Sequence, residues 1–111
     1  MPAYCPKRGD VVWLTFTPQA GHEQAGHRPA LTLSPESYNR KVGLALFCPL
    51  TTKMKSYPFE VPVTGPDGSS VILADQIKSL DWQARKARLY FKVSEATLSD
   101  VFNKLDVLIN K

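Results

Sequence analysis

The chain has 111 residues, of which 43% are hydrophobic and 22% are charged, and this composition predicts one packed domain over residues 1–111. Its longest apolar runs, such as residues 42–50, are far shorter than the ~18 residues that a membrane span needs. No charged segment followed by an apolar run opens the sequence, so no signal peptide is expected. The two cysteines and two histidines lack the spacing of a zinc site. We therefore expect a reduced, cytoplasmic protein without a metal or another cofactor.

The net charge is +4, and it is distributed unevenly along the chain. Residues 40–92 carry nine basic and four acidic side chains, a balance of +5, whereas the rest of the chain sums to −1. Such an asymmetry favours a polyanionic partner, with nucleic acid as the first candidate. An ordinary solvated surface explains the same charges equally well, so charge alone does not decide between the two interpretations.

The first part of the chain predicts two strands joined by a long loop. Residues 9–16 are rich in β-branched and aromatic side chains, and residues 28–33 have the pattern of a return strand. Residues 17–27 between them are polar, and this connection exceeds the usual hairpin loop of ~2–5 residues. Ser34 and Pro35 then offer an N-cap and a first helical residue, which predicts one short turn of helix.

The second part predicts further strands and a terminal helix. Residues 43–50 are nearly all apolar, as in a buried central strand, and Pro62 suggests that the next strand lies at an edge or contains a bulge. From Ser94 onward, apolar residues recur every three or four positions, which is typical of an amphipathic helix packed on a sheet. We expect a small, strand-rich barrel or sheet with a C-terminal helix across it. A turn is predicted at residues 65–68 and further strands at residues 59–63, 70–74, 76–80 and 87–93.

The long loop concentrates side chains that can carry chemistry. An imidazole can exchange a proton near neutral pH, a carboxylate can orient that imidazole, and a guanidinium can hold two phosphate oxygens at once. These are the groups that phosphoryl transfer requires, although a polar loop of this content is more often solvated than catalytic. The residues concerned are His22, Glu23, Gln24, His27 and Arg28.

A second set of candidates follows the predicted central strand. Two threonines stand where a buried strand reaches the surface, and their hydroxyls are either oxyanion donors or ordinary strand side chains. Two lysines and a tyrosine combine cations with an aromatic ring, as in sites for single-stranded nucleic acid, but solvated lysines are equally expected. An acidic residue beside an amide has groups able to contact base edges. These candidates are Thr51, Thr52, Lys53, Lys55, Tyr57, Asp75 and Gln76.

Six segments carry a resemblance to a known family: residues 9–13, 21–30, 49–52, 57–61, 74–79 and 82–85. Together they resemble the MazF/PemK family of toxin endoribonucleases from bacterial toxin–antitoxin systems, and they are closer to the MazF branch. Their order and spacing extend over nearly the whole chain. The loop pattern Gly-x-Glu-Gln-x-Gly-x-Arg-Pro within residues 21–29 is specific to this family.

The resemblance implies a mainly β fold, namely a small SH3-like barrel of the CcdB/MazF type with a C-terminal amphipathic helix, assembled as a homodimer. It also implies sequence-specific, metal-independent cleavage of single-stranded messenger RNA, which stops translation. A cognate acidic, MazE-like antitoxin is expected to occupy the RNA groove. RNA cleavage through attack by the 2′-hydroxyl would leave a 2′,3′-cyclic phosphate and a 5′-hydroxyl.

The resemblance places the catalytic arginine at Arg28 and the catalytic threonine at Thr51. The general base is then Glu23 or His22, and the sequence does not choose between them. The PemK-type scheme uses a loop histidine, a later arginine and an aspartate, but Leu73 stands at the arginine position. We expect RNA to contact Gly21, Gln24, His27, Lys53, Lys55, Tyr57, Asp75, Gln76 and Lys78.

Two rival functions belong to other classes. One is a toxin of the similar CcdB fold that binds DNA gyrase and cuts nothing, and the other is a non-catalytic RNA-binding module. The loop from Glu23 to Arg28, together with Thr51, favours the nuclease over both rivals.

Overall fold

The structure is a computed structural model that describes residues 4–16 and 26–110. These residues form seven strands and two helices. One helix lies between the second and third strands, and the other follows the seventh strand. The strands are β1 (Asp10–Phe16), β2 (Gly26–Thr32), β3 (Ala45–Thr51), β4 (Glu60–Gly65), β5 (Gly68–Leu73), β6 (Lys78–Leu80) and β7 (Arg88–Lys92). The helices are α1 (Glu36–Val42) and α2 (Glu95–Ile109). In the same residues, no helix is long and apolar enough to cross a membrane.

The strands form one curled antiparallel sheet in the order β4-β5-β3-β2-β1-β7. Strand β3 is central to it because it changes partner along one edge. Its first residues, 45–47, pair with β6, its last residues, Leu50 and Thr51, pair with β5, and β2 pairs along its other edge. The sheet therefore curves around β3, and the predicted mainly β barrel with a C-terminal helix is confirmed.

The core has two parts on either side of this curved sheet. Helix α2 buries Val101 and Leu105 in one part, which also contains Leu31 and Ile72 from the strands. The other part is built around Trp82 together with side chains from β1, β2 and β3. Packing of α2 on the sheet is thus confirmed for the inner side of its apolar stripe, whereas the last residues of the stripe, Leu108 and Ile109, are exposed.

The two end strands of the sheet order, β4 and β7, approach each other and close the barrel. The hydroxyl of Tyr90 in β7 donates to the carboxylate of Asp67 in the β4–β5 turn. This hydrogen bond raises the pKa of Tyr90, because the carboxylate stabilises the protonated phenol. Beside it, the ring of Phe91 lies against Gly65, where a Cβ atom would be only 2.7 Å from Phe91 Cε1. A residue without a side chain is therefore needed at this contact.

The segment after β2 differs from its sequence prediction. Helix α1 is longer than one turn, and its N-cap residue is Pro35, which makes no side-chain capping hydrogen bond. The Ser34 hydroxyl instead donates to Asn39 Oδ1 at 2.5 Å, inside the protein. Gly43 was assigned to the central strand, but it ends α1 in the left-handed region at φ 82°, a conformation that glycine adopts without steric cost.

Gly65→Ala is expected to lower the free energy of unfolding by about 1–3 kcal/mol, because the added methyl group overpacks the contact with Phe91. Thermal denaturation of the purified variant measures this loss. Thr64→Ala is the matched control, since it changes an exposed neighbour on the same strand. Equal melting temperatures for the two variants would show that the Phe91 ring moves freely and does not close the barrel.

Candidate active site

A cavity of about 1010 Å³ opens beside β2 and β3, and it collects most of the predicted site residues that the structure describes. Its apolar floor comes from Leu14, Ala30 and Phe47. The polar side chains above this floor come from β2, from the end of β3, from the segment between β3 and β4, from the start of β4, and from β6 with the segments on either side of it. The predicted residues that line the cavity are Arg28, Thr51, Lys53, Lys55, Tyr57, Gln76 and Lys78.

Of the predicted residues that the structure describes, three do not line the cavity: His27, Thr52 and Asp75. Asp75 accepts a hydrogen bond from the Tyr57 hydroxyl at 2.6 Å, so it acts on the cavity through that ring. His27 is exposed on β2, where its Nδ1 atom lies 3.3 Å from Thr15 Oγ1 of the neighbouring strand. Gly21, His22, Glu23 and Gln24 lie outside the described residues. Two of them, His22 and Glu23, are the candidates for the general base.

Arg28 and Thr51 reach the cavity from adjacent strands. Arg28 is exposed on β2, opposite Leu14 of β1. Thr51 is the last residue of β3, and its Oγ1 atom accepts a hydrogen bond from the backbone N–H of Lys53 at 3.1 Å. That bond leaves the hydroxyl proton of Thr51 to be donated elsewhere. A guanidinium and an available hydroxyl donor therefore line the same cavity.

Tyr57 presents a nearly half-exposed ring, with 45% of its surface accessible. Its hydroxyl is fixed by Asp75, and this hydrogen bond raises the pKa of Tyr57 above its ordinary value because the nearby carboxylate opposes a second negative charge. The phenol stays protonated at neutral pH and donates its hydrogen bond to Asp75, so it does not act as a base.

The charge of the cavity is strongly asymmetric. Among the residues that the structure describes, five basic residues and one acidic residue, Glu60, line it. Cations around a partly enclosed space raise the local concentration of anions. The polyanion partner inferred from the charge distribution therefore has a matching surface. The basic residues are Arg28, Lys53, Lys55, Lys78 and Arg85.

Among the described residues, three polar lining residues were not predicted as site residues: Ser56, Glu60 and Arg85. Arg85 comes from the turn before β7, and its backbone carbonyl accepts a hydrogen bond from Thr15 N–H at 2.8 Å. The sequence could have indicated Arg85, because it lies within the basic residues 40–92 and inside the family-matching segment 82–85. Glu60 also lies in a family-matching segment, residues 57–61, but an acidic residue beside an expected polyanion site is counted as surface.

The two cysteines do not add a nucleophile to the site. Burial raises the pKa of Cys48 to about 12, and Asp75 adds to this effect. Burial also raises the pKa of Cys5. Both thiols therefore remain protonated and unreactive at neutral pH.

Comparison with known proteins agrees with this geometry. The sequence model described as "PemK-like, MazF-like toxin of type II toxin-antitoxin system" matches residues 7–109. The endoribonuclease toxin MazF of Escherichia coli is 48% identical over 106 residues, which are 96% of each chain. The endoribonuclease PemK of Escherichia coli is 27% identical over 108 residues, which are 93% of this chain and 81% of PemK. The higher identity to MazF confirms the predicted branch.

A solved structure of MazE–MazF from Deinococcus radiodurans is also similar to this protein. It superposes with a TM-score of 0.87 at 49% identity, and the match covers 96% of this chain and 97% of that one. The resemblance stated from the sequence is confirmed, and so is its assignment to endoribonucleases, whereas a gyrase-binding toxin is not favoured. Because the family model matches almost the whole chain, the chain belongs to the PemK-like, MazF-like toxins of type II toxin–antitoxin systems.

Proposed function

We propose that the protein is a toxin that cleaves single-stranded messenger RNA at specific sequences without a metal ion. The observation that carries this proposal is the meeting of Arg28 and Thr51, which are distant in sequence, in one cationic cavity. The MazF relatives are named endoribonucleases, which supports the same activity here. A free 2′-hydroxyl is what distinguishes RNA from DNA at such a site.

The reaction is an in-line attack of the 2′-hydroxyl oxygen on the adjacent phosphorus. The oxygen–phosphorus bond to the 5′-oxygen of the next nucleotide breaks, which leaves a 2′,3′-cyclic phosphate and a 5′-hydroxyl. One base removes the 2′-hydroxyl proton, and one acid protonates the departing oxygen. Because the nucleophile belongs to the substrate, the protein has to position the phosphate, to supply groups that move these two protons and to stabilise the developing charge.

Arg28 and Thr51 stabilise that charge. The Arg28 guanidinium donates two hydrogen bonds to non-bridging phosphate oxygens, a geometry that lysine does not reproduce. The Thr51 hydroxyl, which accepts from Lys53 N–H, donates its own proton to a phosphate oxygen or assists proton transfer. Glu23 or His22, from the segment between β1 and β2, supplies the base.

The remaining cavity residues bind the RNA strand. Lys53, Lys55 and Lys78 neutralise phosphates, and the exposed ring of Tyr57 stacks on a base. The amide of Gln76 and the carboxylate of Asp75 are placed to contact base edges or to support the residues that do. Gly21, Gln24 and His27 are the remaining RNA contacts in this proposal.

The partner is a cognate acidic, MazE-like antitoxin that uses the same cations as the RNA does. The solved MazE–MazF assemblies of Deinococcus radiodurans support this pairing. A disordered acidic tail can follow a cationic groove and be ordered on binding. The toxin acts as a homodimer in the cytoplasm, where its messenger RNA substrate is located.

Incubation of the purified protein with a long single-stranded RNA in EDTA tests the proposal directly. We expect cleavage at a short recurring sequence, and sequencing of the cut ends identifies that sequence. The same nucleotide sequence as DNA should remain intact. RNA that stays intact in EDTA but is cut on addition of Mg²⁺ would contradict the metal-independent mechanism.

Arg28→Ala is expected to reduce the cleavage rate by ~10²–10³, because it removes a donor that stabilises the charge of the transition state. Arg28→Lys should recover only part of this loss, since a lysine lacks the two-pronged donor geometry. Single-turnover cleavage of a short RNA measures both rates. Arg40→Ala is the control, because Arg40 pairs with Glu36 on α1 and does not line the cavity. Arg28→Ala with control-like activity would refute the assignment.

Lys53→Ala with Lys55→Ala is expected to reduce the slope of log affinity against log salt by ~0.7 per lysine, the value for phosphates of single strands. Binding should weaken for every RNA, while the preferred cut site stays the same. Fluorescence anisotropy with an uncleavable 2′-deoxy analogue gives the slope. A double variant of Lys7 and Lys41, which are exposed but do not line the cavity, is the charge-matched control. An unchanged slope in the first variant would show that its lysines are merely solvated.

A further inference from the structure

The segment between β3 and β4, residues 52–59, carries five cavity residues without forming a helix or a strand, namely Lys53, Lys55, Ser56, Tyr57 and Pro58. We call it the cationic loop. Acceptor side chains that flank it or lie beside it hold its shape. Thr51 Oγ1 accepts from Lys53 N–H at 3.1 Å, Glu60 Oε2 accepts from Lys55 N–H at 2.9 Å, and Asp75 Oδ2 accepts from the Tyr57 hydroxyl at 2.6 Å.

The backbone of the cationic loop is strained at Ser56. This residue has φ 55°, in the left-handed region that residues other than glycine rarely adopt. Such a conformation persists where surrounding contacts enforce it, and it occurs most often at functional sites. Ser56 itself lines the cavity, so the strain lies within the binding surface.

Glu60 makes hydrogen bonds on both sides of the strained residue. Its carboxylate takes the N–H of Lys55, and its own backbone N–H donates to the carbonyl of Tyr57 at 3.0 Å. The two bonds fix the residues before and after Ser56 relative to the start of β4. The direction of the Lys55 side chain and the position of the Tyr57 ring both depend on these two hydrogen bonds.

The charge of Glu60 is unfavourable for binding a polyanion. It is the acidic residue among five basic ones in the part of the cavity wall that the structure describes, and a carboxylate repels RNA phosphates. A neutral side chain would serve the electrostatics better. The hydrogen bond to Lys55 N–H is the contribution that offsets this repulsion.

We propose that Glu60 is a positioning residue that holds the cationic loop in the conformation that binds RNA. The inference rests on the proposed function, since it assigns Glu60 a role toward that substrate. Glu60 acts through Lys55 and Tyr57 and is not itself assigned a contact with the phosphate.

Two substitutions separate positioning from simple electrostatics, because the two ideas predict opposite signs. Glu60→Ala removes the acceptor together with the charge, so positioning predicts about tenfold weaker binding of an uncleavable RNA, the effect of one lost hydrogen bond to a charged group. Simple electrostatics predicts tighter binding for the same variant. Glu60→Gln removes the charge but keeps an oxygen acceptor, and it should restore most of the affinity that alanine loses.

Anisotropy measurements at fixed salt compare these variants with Asp100→Ala, which removes an exposed carboxylate away from the cavity. Weaker binding by Glu60→Ala, with recovery in Glu60→Gln and no change in Asp100→Ala, supports positioning. Binding by Glu60→Ala that is unchanged or tighter overturns it. Equally weak binding by the alanine and glutamine variants also overturns it, since the charge would then matter and the acceptor would not.

The amide NMR signal of Lys55 gives a second measurement that needs neither RNA nor nuclease activity. A hydrogen bond to a carboxylate shifts an amide proton downfield, so the Lys55 signal should move upfield in Glu60→Ala and less so in Glu60→Gln. An unmoved Lys55 signal would show that Lys55 N–H does not donate to the Glu60 carboxylate. If the signal moves as expected while the wild-type protein cuts no RNA, the hydrogen bond between Lys55 and Glu60 is confirmed and the proposed function fails.

Discussion

Asn39 is a fully buried polar residue, and its hydrogen bonds join the separate parts of the protein. Its side-chain amide donates to the carbonyls of Pro6 and Ser34 at 2.8 and 3.0 Å and accepts from the Ser34 hydroxyl. Its backbone carbonyl accepts from the indole N–H of Trp82 at 2.9 Å. Each of these groups would be costly to bury alone, so burial of Asn39 depends on the packing of the N-terminal segment, α1 and the turn before β7 against one another.

The consequences of this network reach the cavity through the turn that begins at Trp82. The same turn places Arg85, whose backbone carbonyl accepts from Thr15 N–H and whose guanidinium lines the cavity. Thr15 lies at the end of β1 and is paired with His27 on β2, one residue before Arg28. A polar network remote from the cations thus fixes both Arg85 and the strand that leads to the β1–β2 connection.

The cavity is organised differently on its other side. Strand β3 ends at Thr51, and beyond it the cationic loop is held by single acceptor side chains rather than by a ladder of backbone hydrogen bonds. The wall with Arg28 belongs to a paired strand, whereas the wall with Lys53, Lys55 and Tyr57 depends on individual side chains. RNA binding is assigned to the lysines of the second wall, so their substitution should weaken binding without removing Arg28 or Thr51.

Much of this arrangement follows from local sequence signals, and the remainder depends on contacts between distant residues. The strands, the turn at residues 65–68 and the Ser94 cap of α2, which accepts from Thr97 N–H, were predicted because their signals are local. The length of α1 was not, because that helix is extended by the burial of Asn39. Glu60 was missed for the same reason, since its importance lies in a bond to Lys55 that composition does not reveal.

The central claim is that the substrate supplies the nucleophile and that Arg28 and Thr51 stabilise the charge that develops. The most direct measurement uses a short RNA containing the preferred site, made either with all ribose sugars or with one 2′-deoxyribose on the nucleotide before the cut. The account predicts that the all-ribose RNA gives a 2′,3′-cyclic phosphate detectable by ³¹P NMR and that the single 2′-deoxy substitution abolishes cleavage there. Cleavage of the 2′-deoxy substrate at the same position would contradict it, because water would then be the nucleophile.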